Sequence, residues 1–581
     1  MKTLRLIAIY FALASATTSA AGAQQPFDIL ITGGRVIDGT GNPWFNADVG
    51  IRDGRIVAVG RLGGSDAART IDARGKVIVP GFIDVHSHAD GPDGDDTGLR
   101  SPDPKRRAAP NLVSQGITTV VVNQDGGSPS SIADQRARLE ALGFGPNVVL
   151  MVGHNTIRHD AMGDDFRRLA TPAEIERMKQ AVRRGMEAGA YGLSAGLEYV
   201  PGRWSDTGEV VALVREVKPF GGVYIVHERA SGKDPMWYVP SHDEPGPPTM
   251  LDNIREVIEV ARRTGVPTDA THVKVRGADY WGSGRAIIQL MNRARARGIE
   301  VWADQYPYNT TGSDGNTMLI PDWALNADRW AQTPGGADTL RSARDYAAAL
   351  RKILDDPKAV VDLRRDIARA ITRRGDPENI VVFDYPDSSW IGQSLAQVAA
   401  ELDISSVDLA IKMQLEGFRN RPGGARLRGF SLSEIDVELL GAQPWTLTAS
   451  DAGVALPTDG PVHARFYGTF PRKIHEYAQK RGAITVENAV RSATSLPAQF
   501  MGFRDRGMIR ENFRADIAIL DLAKIEDRAT FFEPHQYAAG VDYVMVGGKF
   551  VIDGGKPTAA LAGQIITPRE GRRSGTTVSV P

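Results

Sequence analysis

Apolar and polar positions alternate at both ends of the chain, while helix-period patterns fill its middle. Near the N-terminus, Asp28-Ile29-Leu30-Ile31, a Gly33-Gly34 turn, Arg35-Val36-Ile37, Asp48-Val49-Gly50-Ile51 and Arg55-Ile56-Val57-Ala58-Val59 read as short strands with turns. Asp53-Gly54, between the last two, predicts a hairpin, because both loop residues need a positive φ that Asp and Gly tolerate. The far C-terminus has the same texture: Ala515–Leu520 reads as a strand, and Tyr543–Val546 and Phe550–Ile552 flank Gly547-Gly548 as a second hairpin. Two strand-rich ends predict one small β domain built from residues 24–80 and 496–568.

Between them, eight apolar runs alternate with helical stretches: 77–85, 117–123, 147–153, 190–197, 223–227, 266–272, 299–305 and 445–451. The clearest helix runs from Pro172 to about Glu187. It opens on Thr171-Pro-Ala-Glu174, a capping box with Pro at the first helical position, and keeps Ile175, Met178, Val182 and Met186 on one face. Two more apolar faces are Ile254, Val257, Ile258, Ala261 and Ile287, Leu290, Met291. Eight strand–helix units within residues 81–495 predict an α/β chain folded as a (β/α)8 barrel rather than an open doubly wound sheet. The interval 310–440 exceeds a loop and predicts an inserted helical subdomain.

Composition narrows the function. Of 581 residues, 69 are Lys or Arg and 70 Asp or Glu, so no basic excess exists to neutralise nucleic-acid phosphates. The absence of Cys excludes disulfides, iron–sulfur clusters and thiol nucleophiles. Chemistry must come from the ten His and the carboxylates. Lys2 and Arg5, the apolar run Leu6–Ala14 and Ala21-Gly22-Ala23 predict an export signal cleaved near Ala23. The run is shorter than the roughly 20 residues of a spanning helix, and no later stretch reaches that length. The expectation is an exported protein without a membrane anchor, periplasmic in a Gram-negative source, with a polar tail over residues 569–581.

In a parallel barrel, functional side chains come from the C-terminal strand ends. The eight runs end, in order, in Asp84-Val85-His86-Ser87-His88, Asn123-Gln124-Asp125, His154-Asn155, Glu198, His227-Glu228, His272 with Lys274, Asp304-Gln305-Tyr306, and Ser450-Asp451. His86 and His88, at i and i+2, share one face of an extended segment, so both rings can converge on one point. With His227, His272 and Asp451 they make an N/O donor set suited to zinc or a similar divalent ion.

These residues, set in Gly81-Phe-Ile-Asp-Val-His86-Ser-His88, Gly192-Leu-Ser-Ala-Gly-Leu-Glu-Tyr199, Thr271-His272-Val-Lys274, Asp304-Gln-Tyr-Pro-Tyr308 and Tyr467-Gly-Thr-Phe-Pro-Arg472, resemble the amidohydrolase superfamily. Within it the chain resembles the N-acyl-D-amino-acid deacylase (D-aminoacylase) family along essentially its whole length. The resemblance implies a distorted (β/α)8 barrel with a small β-sandwich from both termini, and one or two divalent ions, zinc foremost. His86, His88 and Asp451 would hold the more buried metal, and His227 and His272 the second. Lys274 would bind the substrate α-carboxylate.

One departure stands out. The family's metal-binding Cys after the second strand is missing, and Asn123-Gln124-Asp125-Gly126 stands there instead. Asp125 occupies the matching position, and Glu198 lies where other amidohydrolases place a bridging carboxylate. Either carboxylate can bridge two cations; the expectation leans slightly to Glu198, with Asp125 the alternative and an Arg such as Arg203 its competing partner. The implied reaction is hydrolysis of an N-acyl-D-amino acid, with Asp451 as general base and then general acid. Tyr306, Tyr308, Ser313, His154 and Arg465 are candidates to line the pocket, and His463 is placed to reach it from the eighth loop. A dipeptide or cyclic-amide substrate on the same centre, or a non-catalytic binding protein, are the alternatives. The D preference comes from the resemblance alone.

Overall fold

The structure is a computed structural model that describes residues 26–312, 315, 317–325 and 345–568. The export signal at 1–23, Ser313 and the tail from 569 lie outside the described residues. No described helix is long and apolar enough to cross a membrane.

One nine-stranded sheet joins the two ends of the chain. Its seam is the antiparallel pairing of Val77–Pro80 with Ile517–Leu520, four residues against four. Both anticipated hairpins form: Phe45–Arg52 with Arg55–Gly60 around Asp53 and Gly54 at φ 50° and 68°, and Val541–Val546 with Lys549–Asp553 around Gly547 and Gly548. Gly33-Gly34 is not a turn. Phe27–Val36 is one strand, and the pair sits in a bulge where its register against Phe45–Arg52 shifts. The Gly33 N–H, at φ 72°, is taken by Asp48 Oδ1 at 2.9 Å, so the extra residue costs no hydrogen bond.

The eight internal runs become short parallel strands. Phe82–Asp84 pairs with Ile117–Val122, which pairs with Asn147–Leu150. Val152–Gly153 continues to Gly192–Gly196, Val223–His227, Thr268–Ala270, Val301–Gln305 and Thr446–Thr448, each parallel to the last. Ala452–Gly453 then pairs with Ser87–His88, so the last run meets the first. Every residue of Ile117–Val122 is buried, as expected of a β-branched run covered on both faces. The helix Pro172–Glu187 forms with its reciprocal cap: Thr171 Oγ1 accepts the Glu174 N–H and the Glu174 carboxylate accepts the Thr171 N–H. Met178, Val182 and Met186 face the core.

The 310–440 interval has its own apolar cluster, including Leu350, Leu363, Ile367, Val398, Leu409 and Met413. Helices Tyr346–Leu354, Pro357–Arg373, Leu395–Glu401 and Ser406–Glu416 supply most of it. An antiparallel pair, Ile380–Asp384 with Arg426–Gly429, was not legible as part of a helical insertion.

Candidate metal centre

The strand ends bring four imidazoles and two carboxylates together. Asp125 Oδ1 lies 3.4 Å from His86 Nε2, 3.6 Å from His227 Nδ1 and 3.9 Å from His272 Nε2. Its second oxygen is 3.6 Å from His88 Nε2. Asp451 Oδ1 lies 3.1 Å from His88 Nε2 and 3.6 Å from His86 Nε2. His227 Nδ1 and His272 Nε2 face each other at 2.9 Å. Two overlapping donor groups result, His86–His88–Asp451 and His86–Asp125–His272, each within 4.8 Å.

Local backbone geometry aims these groups. Asp125, His272 and Asp451 all have positive φ, at 56°, 36° and 50°. Asp and His enter this region more readily than most residues other than Gly, but at a cost, and such strain collects at functional sites. The Asp125 turn is kept by Gly126, whose Cβ would meet the Asn155 side chain at 2.3 Å.

The donors fit a metal on three grounds. Both ring nitrogens of His86 and Oδ1 of Asp125 are buried without a hydrogen bond among the described residues. Ligands about 2.0–2.1 Å from a tetrahedral zinc lie roughly 3.4 Å apart, and the spacings here bracket that distance. The field also favours cations. Burial lowers His86 and His227, but Asp125, with Asp451 for His86 and Glu198 for His227, outweighs it and lifts both to about 9. Burial raises Asp125, yet His227 and His86 hold it well below the usual carboxylate range. A site that stabilises two extra protons offers the same field to a dication in their place.

The expectation that Glu198 rather than Asp125 bridges two ions does not fit this arrangement. Glu198 lies behind His227 and accepts its Nε2–H at 3.0 Å, leaving Nδ1 to face the centre. Its other oxygen accepts the Met236 N–H at 2.5 Å and faces Arg276 at 3.4 Å. Buried Arg276 needs a counter-charge, and Glu198 supplies it. A carboxylate on the far nitrogen of a ligand fixes the ring and its tautomer.

Lys274 is buried within this mouth, its Nζ 5.8 Å from the Tyr306 ring. Burial lowers its pKa, with Glu228, Asp451 and Glu198 opposing. The Arg465 guanidinium lies 4.8 Å from the centre of the Tyr306 ring and reaches Asp451 Oδ2 at 2.7 Å. Burial raises Asp451, but Arg465 and His86 hold it well below the ordinary range. His154 does not line the site: Glu209 takes its Nε2 at 2.8 Å and also binds Arg158. Both nitrogens of His463 are engaged by backbone, at Thr310 O and the Arg465 N–H. Tyr308 packs edge-on against that ring and beneath Arg472.

Three neighbours were not anticipated. Tyr199 covers His227, with ring centroids 4.2 Å apart. Asp304 accepts the His272 N–H at 2.6 Å and lies 3.6 Å from His86 Nδ1. Arg276 extends the His272, Lys274 alternation by one more step, a signal that was present.

Residues 69–552 match the amidohydrolase family, and residues 13–82 the N-terminal domain of the urease alpha-subunit. A D-aminoacylase of Alcaligenes xylosoxydans xylosoxydans is 31% identical over 566 residues, 94% of this chain and 98% of that protein. The N-acyl-D-glutamate deacylase of Bordetella bronchiseptica, solved with zinc and a phosphonate mimic of the tetrahedral intermediate, superposes with a TM-score of 0.69 at 29% identity, covering 94% of this chain and 100% of that one. A D-aminoacylase with a binuclear metal centre gives 0.68 at 30% identity, with 93% and 100% covered.

Proposed function

This chain belongs to the amidohydrolase family, and from that premise we propose that it is a metal-dependent deacylase that cleaves N-acyl-D-amino acids to a carboxylate and a free D-amino acid. The observation that carries the reading is Asp125, aimed at four imidazoles from the position where the resemblance expects a thiolate. His86, His88 and Asp451 would hold one ion and His227 and His272 the other, with Asp125 placed against all four imidazoles to serve as the anionic ligand. Zinc is the favoured ion; when bound it lowers the pKa of a water towards 7 and polarises the acyl carbonyl.

The chain's own groups do the rest. Asp451, kept ionised by Arg465, accepts a proton from the attacking water. It returns that proton to the nitrogen as the C–N bond breaks, so base becomes acid. Lys274 attracts the substrate carboxylate, and Tyr306, whose ring lies beside both Lys274 and Arg465, sets one wall. Tyr199 screens His227 from water.

The ring of parallel pairings supports a distorted (β/α)8 barrel over residues 81–495, with the shared terminal sheet as a β-sandwich over 24–80 and 496–568. The basic, apolar and small-residue segments before Gln24 support export with cleavage near Ala23, and a periplasmic or secreted enzyme. Charge balance supports a small-molecule substrate and no nucleic-acid partner.

Zinc-loaded protein is expected to release free amine from N-acetyl-D-amino acids and not from the L enantiomers; failure on every N-acyl-D-amino acid offered, with zinc bound, overturns the reading. Lys274→Met is expected to lower kcat/KM by about 30-fold or more, mainly through KM, since losing one partner of a buried charge pair costs about 2–5 kcal/mol. Substrates with the carboxylate esterified should not distinguish the variant from wild type. An equal loss on the ester would show that Lys274 does not read the carboxylate.

A further inference from the structure

The insertion reaches the metal centre through a continuous buried polar path. Glu198 orients His227, and the Met236 N–H donates to the same carboxylate. The Met236 carbonyl accepts from Arg373 NH1 at 3.1 Å, so the backbone of one residue links the two side chains through its two flanking peptide groups. A second branch runs through Arg276, whose guanidinium meets both Glu198 and the Asp234 carbonyl, at 3.4 and 3.2 Å. The Asp234 carboxylate is gripped by Arg369 Nε at 2.6 Å and Arg373 Nε at 2.8 Å. Arg373 also donates to Tyr238 O at 2.7 Å, and Asp366 accepts the Ser241 N–H at 3.1 Å.

Asp366, Arg369 and Arg373 are spaced i, i+3, i+7 on the helix Pro357–Arg373, so one face of that helix grips the whole 234–241 segment. Glu198, Asp234, Arg276 and Arg373 are all buried, which sets this contact apart from solvated ion pairs of little energetic weight. We propose that the helix Pro357–Arg373 positions the metal ligand His227 through Arg373, the 234–241 segment and Glu198, so that docking of the insertion and metal affinity at the His227 side are one coupled equilibrium. Arg373, Asp234 and Glu198 are positioning residues, acting through His227. The inference rests on the metal-centre reading. Linkage requires the reverse effect as well, with metal binding holding the helix in place.

The test is zinc affinity by chelator competition on the full chain carrying His88→Ala, which breaks the His86–His88–Asp451 group and leaves His86, Asp125, His227 and His272 as the centre being read. Arg373→Met is expected to weaken zinc about 10-fold, the low end for loss of an outer partner. In a Glu198→Gln background the same substitution should change affinity by less than about 2-fold, because the path is already cut. Asp366→Asn, which loosens the segment at Ser241 alone, should weaken zinc by a smaller factor and serves if Arg373→Met does not fold. Unchanged affinity in a folded variant, or losses that multiply in the double variant, would overturn the coupling. Protein with His88 intact that binds no zinc overturns the metal-centre reading and the coupling together.

Discussion

Asp451→Asn should lower kcat for amide hydrolysis by about 10³-fold, with the fold preserved. The substitution keeps the shape and a polar group beside Arg465, whose guanidinium lies 2.7 Å from one carboxylate oxygen. What it removes is the ability to take a proton and give it back. General acid–base catalysis contributes about 10²–10⁴-fold, and here one group serves both halves of the reaction. Asp451 also faces His86 and His88, so zinc added in excess should restore little. A variant within about 10-fold of wild type would remove Asp451 from the mechanism.

Replacing Asp125 by Ala is expected to cost at least one bound zinc per chain and about 10²-fold or more in rate. Among the described residues no other carboxylate lies against all four imidazoles, and loss of a direct ligand should exceed the roughly 10–100-fold cost of losing an outer partner. Asp125→Cys should retain the metal, since a thiolate on the same left-handed turn offers one anionic donor in the same direction. Glu198→Ala, by contrast, should bind zinc with full stoichiometry at lower affinity. Metal analysis of the three variants decides between the two carboxylates. Loss of zinc in Glu198→Ala with none in Asp125→Ala would restore the bridging role to Glu198.

What could be read before folding, and what could not, follows from the range of the interactions. Ile117–Val122 and Pro172–Glu187 announce themselves, because burial on two faces or on one leaves a local pattern in the side chains. The i, i+2 spacing of His86 and His88 likewise fixes their common face. Gly33-Gly34 misleads because a glycine pair serves a turn or a bulge equally well, and only the partner strand and Asp48 decide. Choosing Asp125 over Glu198 needed the direction of a positive-φ turn and the presence of Arg276, 78 residues away along the chain. His154 sits at a strand end like the true site residues, but Glu209 claims it from the helix Thr207–Val217, with Arg158 on the other oxygen of that carboxylate. Residue type and strand end were visible; the competitor for each side chain was not. The two strands inside the insertion are hidden for a similar reason, since their pairing joins segments more than 40 residues apart.

The most direct test of the central claim couples metal content to turnover on the same sample. Protein stripped by a chelator, shown to remain folded and then titrated with zinc, is assayed for release of the free D-amino acid at each step. The account predicts no release from the stripped protein and activity that rises with zinc bound per chain, over one or two equivalents. Undiminished deacylation by protein that contains no metal would contradict it, and so would full zinc occupancy without turnover of any N-acyl-D-amino acid.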